Sequence, residues 1–509
     1  MLSNVITVAL RGIEPFLIGV ETDIARGLPA MNIVGLGDTT VKEASDRIRT
    51  AIQNAALEYP KSRITINLSP AWLRKKGSHL DLPMAIGILA SSGQLAPDWL
   101  GDSCFIGELS LDGHLHPCQG ILPMVRTLAE EGIRRVFVPV ANREEAALVQ
   151  NMEVYGVTTL KEVVDMLNGG VAIPRTPPQT PWAAPGQRDG RVASDFAEVK
   201  GQEFAKRAIL IAVSGGHGIL MTGSPGTGKS MLSARIPDLM PPLMPEESLE
   251  LTAIYSAAGQ LEEGQSWISR RPFRTPGTGI TRTGLLGGHY PMKPGEVTLA
   301  HRGVLFLDEM GEFDRTTLDA LRVPMETGMV SLTRKGETCI FPANFLLVGA
   351  TNPCKCGYFG HPTRSCSCRR SDVLHYQNKL SGPVKDRIDM HIQLLPVDYA
   401  SLQQTDSMTT AEMQQKIGLA RQRQRERYQG MGIQLNSQLS DGMLGRFCSL
   451  DPESNRLLEQ AYERMALSPR TMVKVLKLAR TIADVEGADQ IALSHLTEAL
   501  QYREKRMQE

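Results

Sequence analysis

The chain has 509 residues, 42% hydrophobic and 22% charged, which is too long for one core and at roughly 150 residues per domain predicts about three. Lys plus Arg equals Asp plus Glu, 55 each, so global charge names no polyanionic partner and any nucleic-acid surface must be a local patch. No run reaches the about eighteen apolar residues of a membrane span, and the start, Met1-Leu2-Ser3-Asn4-Val5, lacks a charged leader segment, which predicts a cytoplasmic protein without a membrane partner.

In chain order, residues 1–168 alternate short strands (64–68, 136–138) with helix-like segments (40–56, 122–131), predicting a compact α/β domain. Residues 169–194 carry Pro174, Pro177, Pro178, Pro181 and Pro185 with little apolar periodicity, predicting an extended, mobile linker. From 195 to 396 strands and helices alternate again, and from 397 to 509 the pattern turns helical, with candidate helices at 414–428, 452–465, 469–485 and 494–506.

The central segment holds the chemistry. Gly223-Ser224-Pro225-Gly226-Thr227-Gly228-Lys229-Ser230 follows the apolar run 218–222 and fits G-x-x-x-x-G-K-[ST] between a strand and a helix, the context of a phosphate-binding loop. Its backbone N–H groups would cradle phosphate oxygens, Lys229 would meet the β and γ phosphates, and Ser230 would ligate Mg²⁺. Val304-Leu305-Phe306-Leu307 ends in Asp308-Glu309, placing Asp308 to hold Mg²⁺ through water and Glu309 to polarise the attacking water of ATP hydrolysis. A second apolar run, 345–350, ends in Thr351-Asn352, where Asn352 can hold the same water or serve as a turn residue.

Cys354, Cys356, Cys366 and Cys368 offer four thiolates for a tetrahedral Zn²⁺, a structural site because no coordination position is left open; the alternative is four reduced thiols in a loop. Residues 270–293 contain Arg270, Arg271, Arg274, Arg282 and Lys293, no acid and many glycines, which reads either as a mobile basic insert that contacts phosphates or as a solvated loop. Residues 329–341 read as a β-hairpin with Arg334-Lys335-Gly336 at its tip. The series Arg421, Arg423, Arg425 and Arg427 reads as a solvated helix face.

This order of parts resembles the magnesium-chelatase-like branch of the AAA+ ATPases. The likeness extends to Asp195 through Gln202 as the adenine-side segment, to Arg271-Pro272-Phe273-Arg274-Thr275-Pro276, and to Lys293-Pro294-Gly295-Glu296-Val297-Thr298-Leu299-Ala300-His301. With the amino-terminal domain included, nearly the whole chain resembles the ComM/YifB type, a family implicated in branch migration of DNA. The resemblance implies a Lon-protease-like α/β domain (1–168), a P-loop AAA+ α/β core (195–396) and a helical lid (397–509). It implies Walker A, Walker B and sensor 1 roles for the phosphate loop, Asp308 with Glu309, and Asn352. Arg387, within Ser381 to Asp389, would be an arginine finger, and Arg470, within Leu467-Ser468-Pro469-Arg470, a sensor 2 residue. It further implies a homo-hexameric ring acting on single-stranded or branched DNA beside recombination proteins, with Arg334 and Lys335 as leading DNA contacts. Where the Lon-type nucleophile and its lysine align, this chain has His79 and Leu122, so the domain is expected to be non-proteolytic, with Ser78 as a shifted nucleophile the minor alternative. Two rival readings are a metal-insertion subunit like that of magnesium chelatase and an ATPase that remodels polypeptide.

Overall fold

The computed structural model describes residues 2–180, 195–262, 264–288, 292–402 and 407–503. The amino-terminal part is a mixed seven-stranded sheet ordered Ala30–Val34, Arg63–Ser69, Glu14–Ala25, Leu2–Arg11, Ser103–Phe105, Arg135–Pro139 and Glu153–Val157. The helix Asp81–Ser91 is buried along its whole length. Its sequence, DLPMAIGILAS, is apolar on every side after the first residue, and such a helix is stable only when enclosed.

Part of the expected linker is docked on the amino-terminal domain. Ile173 is buried, Thr176 N–H bonds to the Val154 carbonyl at 2.8 Å, and Gln179 N–H bonds to the Ala147 carbonyl at 2.8 Å. These residues cover the free edge of the last strand, which would otherwise present unpaired backbone groups. Residues 181–194 lie outside the described residues.

The central sheet is parallel throughout, in the order Phe273–Arg274, Val304–Leu307, Leu346–Thr351, Ile219–Gly223 and Met390–Leu394. All four residues of Val304–Leu307 and all six of Leu346–Thr351 are buried, as expected for strands covered on both faces. The carboxyl-terminal helices run Thr410–Arg427, Asp441–Phe447, Pro452–Arg464, Pro469–Val485 and Leu493–Gln501. Three of these five starts carry side-chain caps: Thr409 with Glu412 forms a capping box, and Asp451 and Ser468 cap helices that begin with proline.

The arginine series on the first of these helices is not a solvated face. Arg421 donates to the Val213 carbonyl at 2.7 Å, Arg423 pairs with Asp489 at 3.0 Å, and Arg427 is clamped on the buried Asp484. Only Arg425 is exposed. A helix packed over the core presents every third or fourth residue inward; here those positions are Met413, Ile417, Ala420 and Gln424, and Arg421 and Arg427 flank that face, where they reach a carbonyl and a carboxylate.

Several contacts join the amino-terminal domain to the core, among them the ion pair of Lys76 with Glu337 at 3.3 Å and the Ser266 hydroxyl donating to Glu144 at 3.0 Å. The Gly120 N–H bonds to the Ser256 carbonyl at 3.1 Å, and the buried Glu145 carboxylate accepts from the Leu122 N–H at 2.8 Å and from the Ser256 hydroxyl. Burial pushes the Glu145 carboxyl above its ordinary range. The tight turn at Gly12 lies against Cys339 and Phe341 of the core hairpin, and Ile13 packs into two of the core's apolar clusters.

Candidate functional site

The strand Ile219–Gly223 runs into the phosphate loop and then into the helix Lys229–Leu239. Gly228, with φ +88°, stands in the left-handed region at the helix start, a conformation that glycine adopts without steric cost. Thr227 steadies the loop by donating from its hydroxyl to the Ser224 carbonyl at 2.8 Å. Lys229 Nζ donates to the Gly223 carbonyl at 2.6 Å, the Ser224 carbonyl at 3.0 Å and Asn352 Oδ1 at 3.2 Å. Burial lowers the pKa of Lys229, while Asp308 and Glu309 pull it back up. Lys229 and Asn352, 123 positions apart, are thus adjacent because the strands Ile219–Gly223 and Leu346–Thr351 are neighbours in register.

Ser230 Oγ donates to Asp308 Oδ2 at 2.8 Å. A hydroxyl and a carboxylate converging at a helix start suit Mg²⁺, which takes few protein ligands and retains waters and phosphate oxygens. Glu309 is exposed and holds φ +48°, a costly backbone state for a non-glycine residue that is concentrated at functional sites. Its N–H donates to Asp308 Oδ1 at 2.9 Å, which fixes the orientation of the Asp308 carboxylate. The adenine-side segment closes the pocket: Gln202 donates to the Leu395 carbonyl at 2.7 Å and reaches the Thr227 carbonyl at 3.4 Å, and Asp195 caps its own turn while accepting from Thr410 of the lid.

Arg387 and Arg470 lie elsewhere. Both line a cavity of about 840 Å³ bordered by Gly218, Gly303, Asn344 and Asp389, all at the amino ends of the parallel strands. The phosphate loop is at the carboxyl edge, and five residues of strand separate the two edges by roughly 15 Å. Neither arginine reaches the phosphate loop of its own subunit. Arg387 pairs with Glu326 at 2.8 Å rather than with Asp386 or Asp389, and Arg470 pairs with the same Glu326 oxygen. Those two hydrogen bonds, from Arg387 first and Arg470 second, hold the Glu326 carboxyl below its ordinary range. No local sequence signal marks Glu326, a carboxylate in the short helix Arg322–Thr327.

The Sγ atoms of Cys354, Cys356, Cys366 and Cys368 all lie within 4.8 Å of one another, with pairs at 3.3, 3.7 and 3.5 Å. A tetrahedral zinc site with bonds of about 2.3 Å requires sulfur separations of about 3.8 Å, so the donor set fits. A backbone N–H from Tyr358 is the leading cause that brings the Cys356 thiol down to about 5, and the Cys368 N–H donates to Cys366 Sγ at 3.4 Å. The loop also touches the nucleotide site. Gly357, at φ +84°, is packed so closely on Pro225 that a Cβ there would come within 2.5 Å of its ring. This contact between the cysteine loop and the phosphate loop has no trace in the spacing of either motif.

The hairpin forms from Met329–Arg334 and Glu337–Pro342. Lys335 and Gly336 have φ of +50° and +80°, the signs of the two-residue turn that matches strand twist. Arg334 and Lys335 are exposed, while Val330, Cys339 and Phe341 are buried at the base. The basic insert is more ordered than a mobile loop: Leu285 and Leu286 are buried in the helix Arg282–Leu286, and Met292 is buried beyond it. Two of its expected phosphate contacts are corrected. Arg271 is half-buried, with its side chain bonded to Glu247 at 2.8 Å and to the carbonyls of Pro241 and Arg302, and Arg274 makes a two-point pair with Glu296 at 2.6 and 2.7 Å. The two sequence stretches 271–276 and 293–301 are therefore clipped together by charge. Arg270 and Arg282 are exposed.

In the amino-terminal domain Ser78 donates to Glu108, and the half-buried His79 faces the Val8 carbonyl at 3.1 Å, with its pKa pushed down to about 4 by loss of hydration. Lys75 is buried and donates to the Pro70 carbonyl, and Leu122 is buried in a helix. Ser78 therefore has a carboxylate rather than a lysine as its hydrogen-bond partner, and His79 faces a backbone carbonyl.

Residues 195–402 match the family described as magnesium chelatase, subunit ChlI; residues 20–142 match subunit ChlI of Mg-chelatase, and residues 407–503 match the carboxyl-terminal family of the same subunit. The competence protein ComM of Haemophilus influenzae is 38% identical over 497 residues, covering 97% of this chain and 96% of that protein. The uncharacterized protein YifB of Escherichia coli K12 is 40% identical over 505 residues, covering 99% and 97%. The chloroplastic magnesium-chelatase subunit ChlI of rice is 26% identical over 206 residues, covering 36% of this chain and half of that protein. No helix among the described residues is long and apolar enough to cross a membrane. Full-length similarity and the three family matches agree: the chain belongs to the ComM/YifB family of magnesium-chelatase-like AAA+ proteins, and that membership implies ATPase activity.

Proposed function

We propose that the chain is an ATP-driven motor on DNA, working as a homo-hexameric ring in branch migration or helicase steps of recombination or natural transformation. The observation that carries this reading is the placement of the hairpin: its exposed Arg334-Lys335 tip projects from the same chain segment that leads, through the strand Leu346–Thr351, to Asn352 and Lys229. A change at the γ-phosphate has a short covalent route to a basic, exposed tip. The full-length likeness to a protein named for competence supports a DNA substrate, whereas the chelatase subunit matches about a third of the chain and gives the metal-insertion reading less support.

In this proposal Lys229 and the loop N–H groups hold the β and γ phosphates, Ser230 and Asp308 hold Mg²⁺, and Glu309 with Asn352 positions the attacking water. The magnesium ion, when bound, supplies charge neutralisation between the β and γ oxygens. Arg387 and Arg470, too far from their own phosphate loop, serve the ATP of the neighbouring subunit, so hydrolysis requires assembly. DNA phosphates would be met by Arg334, Lys335, Arg270 and Arg282, and Zn²⁺ on the four cysteines would pin the loop that follows Asn352. The amino-terminal domain serves as a non-proteolytic scaffold layer.

The test is ATP hydrolysis by the purified chain without DNA, with single-stranded DNA and with a branched junction, beside Lys335→Ala. Stimulation by DNA that Lys335→Ala weakens is expected. Equal rates in all conditions would remove the DNA reading in favour of chelatase-like or polypeptide-remodelling work.

A further inference from the structure

The root of the hairpin and the two arginines at the amino edge meet at one side chain. Glu326 receives both Arg387 and Arg470 on a single oxygen. Arg387 is held tightly: its side chain is 10% exposed and its Nη1 donates to the Pro383 carbonyl at 2.7 Å. Its Nε is nonetheless buried without a hydrogen-bond partner among the described residues, and a buried guanidinium donor left unsatisfied is a costly arrangement that an additional acceptor would relieve. One carboxylate also leaves a net positive charge on the pair of arginines. A polyphosphate, with more charge and several acceptor oxygens, is a stronger partner for two guanidiniums than one carboxylate is.

Glu326 sits one residue before the end of the helix Arg322–Thr327, and the first hairpin strand begins at Met329. The intervening Gly328, at φ +66°, is wedged so that a Cβ would meet Asn344 Oδ1. Thr327 Oγ1 bonds the Met329 backbone on both sides, and the Ala343 N–H closes the root on the Gly328 carbonyl at 2.7 Å. The helix end and hairpin root form one short, hydrogen-bonded unit, so displacement of Glu326 is passed to the hairpin.

We infer that Glu326 is a positioning residue that couples nucleotide at the subunit boundary to the hairpin: it holds Arg387 and Arg470 in the nucleotide-free interface and is released when they transfer to the neighbour's triphosphate. This rests on the proposed action of both arginines on a neighbouring subunit's ATP. Before transfer, the carboxylate restrains the arginines and the hairpin root together. After transfer, the helix end is free of two ion pairs, and the hairpin root shifts with it. The hydrolytic chemistry itself is unchanged; Glu326 governs when the arginines are available.

The experiment compares the full chain with Glu326→Gln and Glu326→Asp, measuring ATP hydrolysis with and without single-stranded DNA. Glu326→Gln keeps the shape and removes the charge. Its DNA-free rate is expected to rise about fivefold, the scale of one partly exposed ion pair, and its stimulation by DNA to fall to near unity, with Glu326→Asp closer to the unaltered chain in both. A merely structural loss would lower the rate, not raise it. An unchanged or reduced DNA-free rate in Glu326→Gln overturns the coupling role. If the unaltered chain ignores DNA, the DNA-motor reading fails, and the DNA-free rate of Glu326→Gln still decides whether Glu326 restrains the arginines.

Discussion

The two edges of the central parallel sheet differ in how they are built. At the carboxyl edge the functional groups come from strand ends and the turns that follow them: Lys229 and Ser230, Asp308 and Glu309, and Asn352 are each part of a contiguous motif. At the amino edge the groups come from three separate stretches: Glu326 from the helix Arg322–Thr327, Arg387 and Asp389 from the segment that leads into the strand Met390–Leu394, and Arg470 with Lys474 from the lid helix Pro469–Val485. The first edge is a phosphate cradle with one lysine. The second is rich in cations and has no phosphate site of its own. A cradle that lacks transition-state cations and a cationic edge that lacks a phosphate are complementary surfaces of neighbouring copies, which is the physical basis for expecting a ring.

The sharpest way to break that comparison is to disable one edge in each of two preparations. Lys229→Ala removes the cation at the phosphate loop, and Arg387→Ala removes the guanidinium proposed to act on the neighbour's ATP; each is expected to lower ATP hydrolysis by about a thousandfold. Mixing the two proteins should restore part of the rate, because some interfaces then pair an intact cradle with an intact arginine. If the mixture is as inactive as its parts, Arg387 does not serve a neighbour.

The second effect is on stability and is confined to the amino edge. Asp389 lies 3.0 Å from Lys474 and 3.4 Å from His217, and its N–H bonds the Gly218 carbonyl, so it ties the phosphate-loop strand to the lid helix Pro469–Val485. Burial works to raise its pKa, but Lys474 and His217 outweigh it and hold the carboxyl well below the usual range. A depressed carboxyl contributes stability that is present above its unfolded pKa and is lost as pH falls through the folded value. Asp389→Asn leaves Lys474 unpaired and should cost about 3 kcal/mol, read as a lower thermal midpoint at neutral pH, with the gap to the unaltered chain closing in acid. An equal gap at every pH would show that the charge is not the source.

The contrast also explains what could be read from the sequence. The phosphate loop, Asp308 with Glu309, and Asn352 were legible because each needs a fixed backbone shape, which constrains consecutive residues. The lid helices were legible from their proline and cap signals at Asp451 and Ser468. Glu326 was not, since a glutamate in a short helix has no local peculiarity and its role arises from residues 61 and 144 positions away. The basic insert was misleading for the same reason: Arg271 and Arg274 lie among mobile-looking glycines in sequence, yet Glu247 and Glu296 claim them in space.

At the carboxyl edge a smaller effect is expected from the cysteines. One zinc per chain should be found by metal analysis, and Cys354→Ser with Cys366→Ser should remove it. The loop they hold begins two residues after Asn352 and bears on Pro225 through Gly357, so hydrolysis should fall by roughly tenfold, the usual scale for losing support behind a reactive group. Gly357→Ala, which leaves the thiols intact, should retain the metal yet lose activity as well. Zinc-free protein with full activity would separate the cysteine loop from the nucleotide site.

The smallest effect distinguishes two kinds of arginine within one insert. Arg282 is exposed at the start of its helix, and if it meets a DNA phosphate, Arg282→Ala should weaken binding uniformly across sequences and reduce the salt dependence of the association constant by about one ion. Arg274→Ala instead breaks the two-point pair with Glu296, leaving a half-buried carboxylate without its partner, and should lower the thermal midpoint while the salt slope stays as it was. The two measurements on one pair of variants decide whether the basic composition of the insert reflects contact with DNA or internal pairing. A salt slope unchanged by both substitutions would assign the whole insert to structure and leave the hairpin tip as the remaining candidate for phosphate contact.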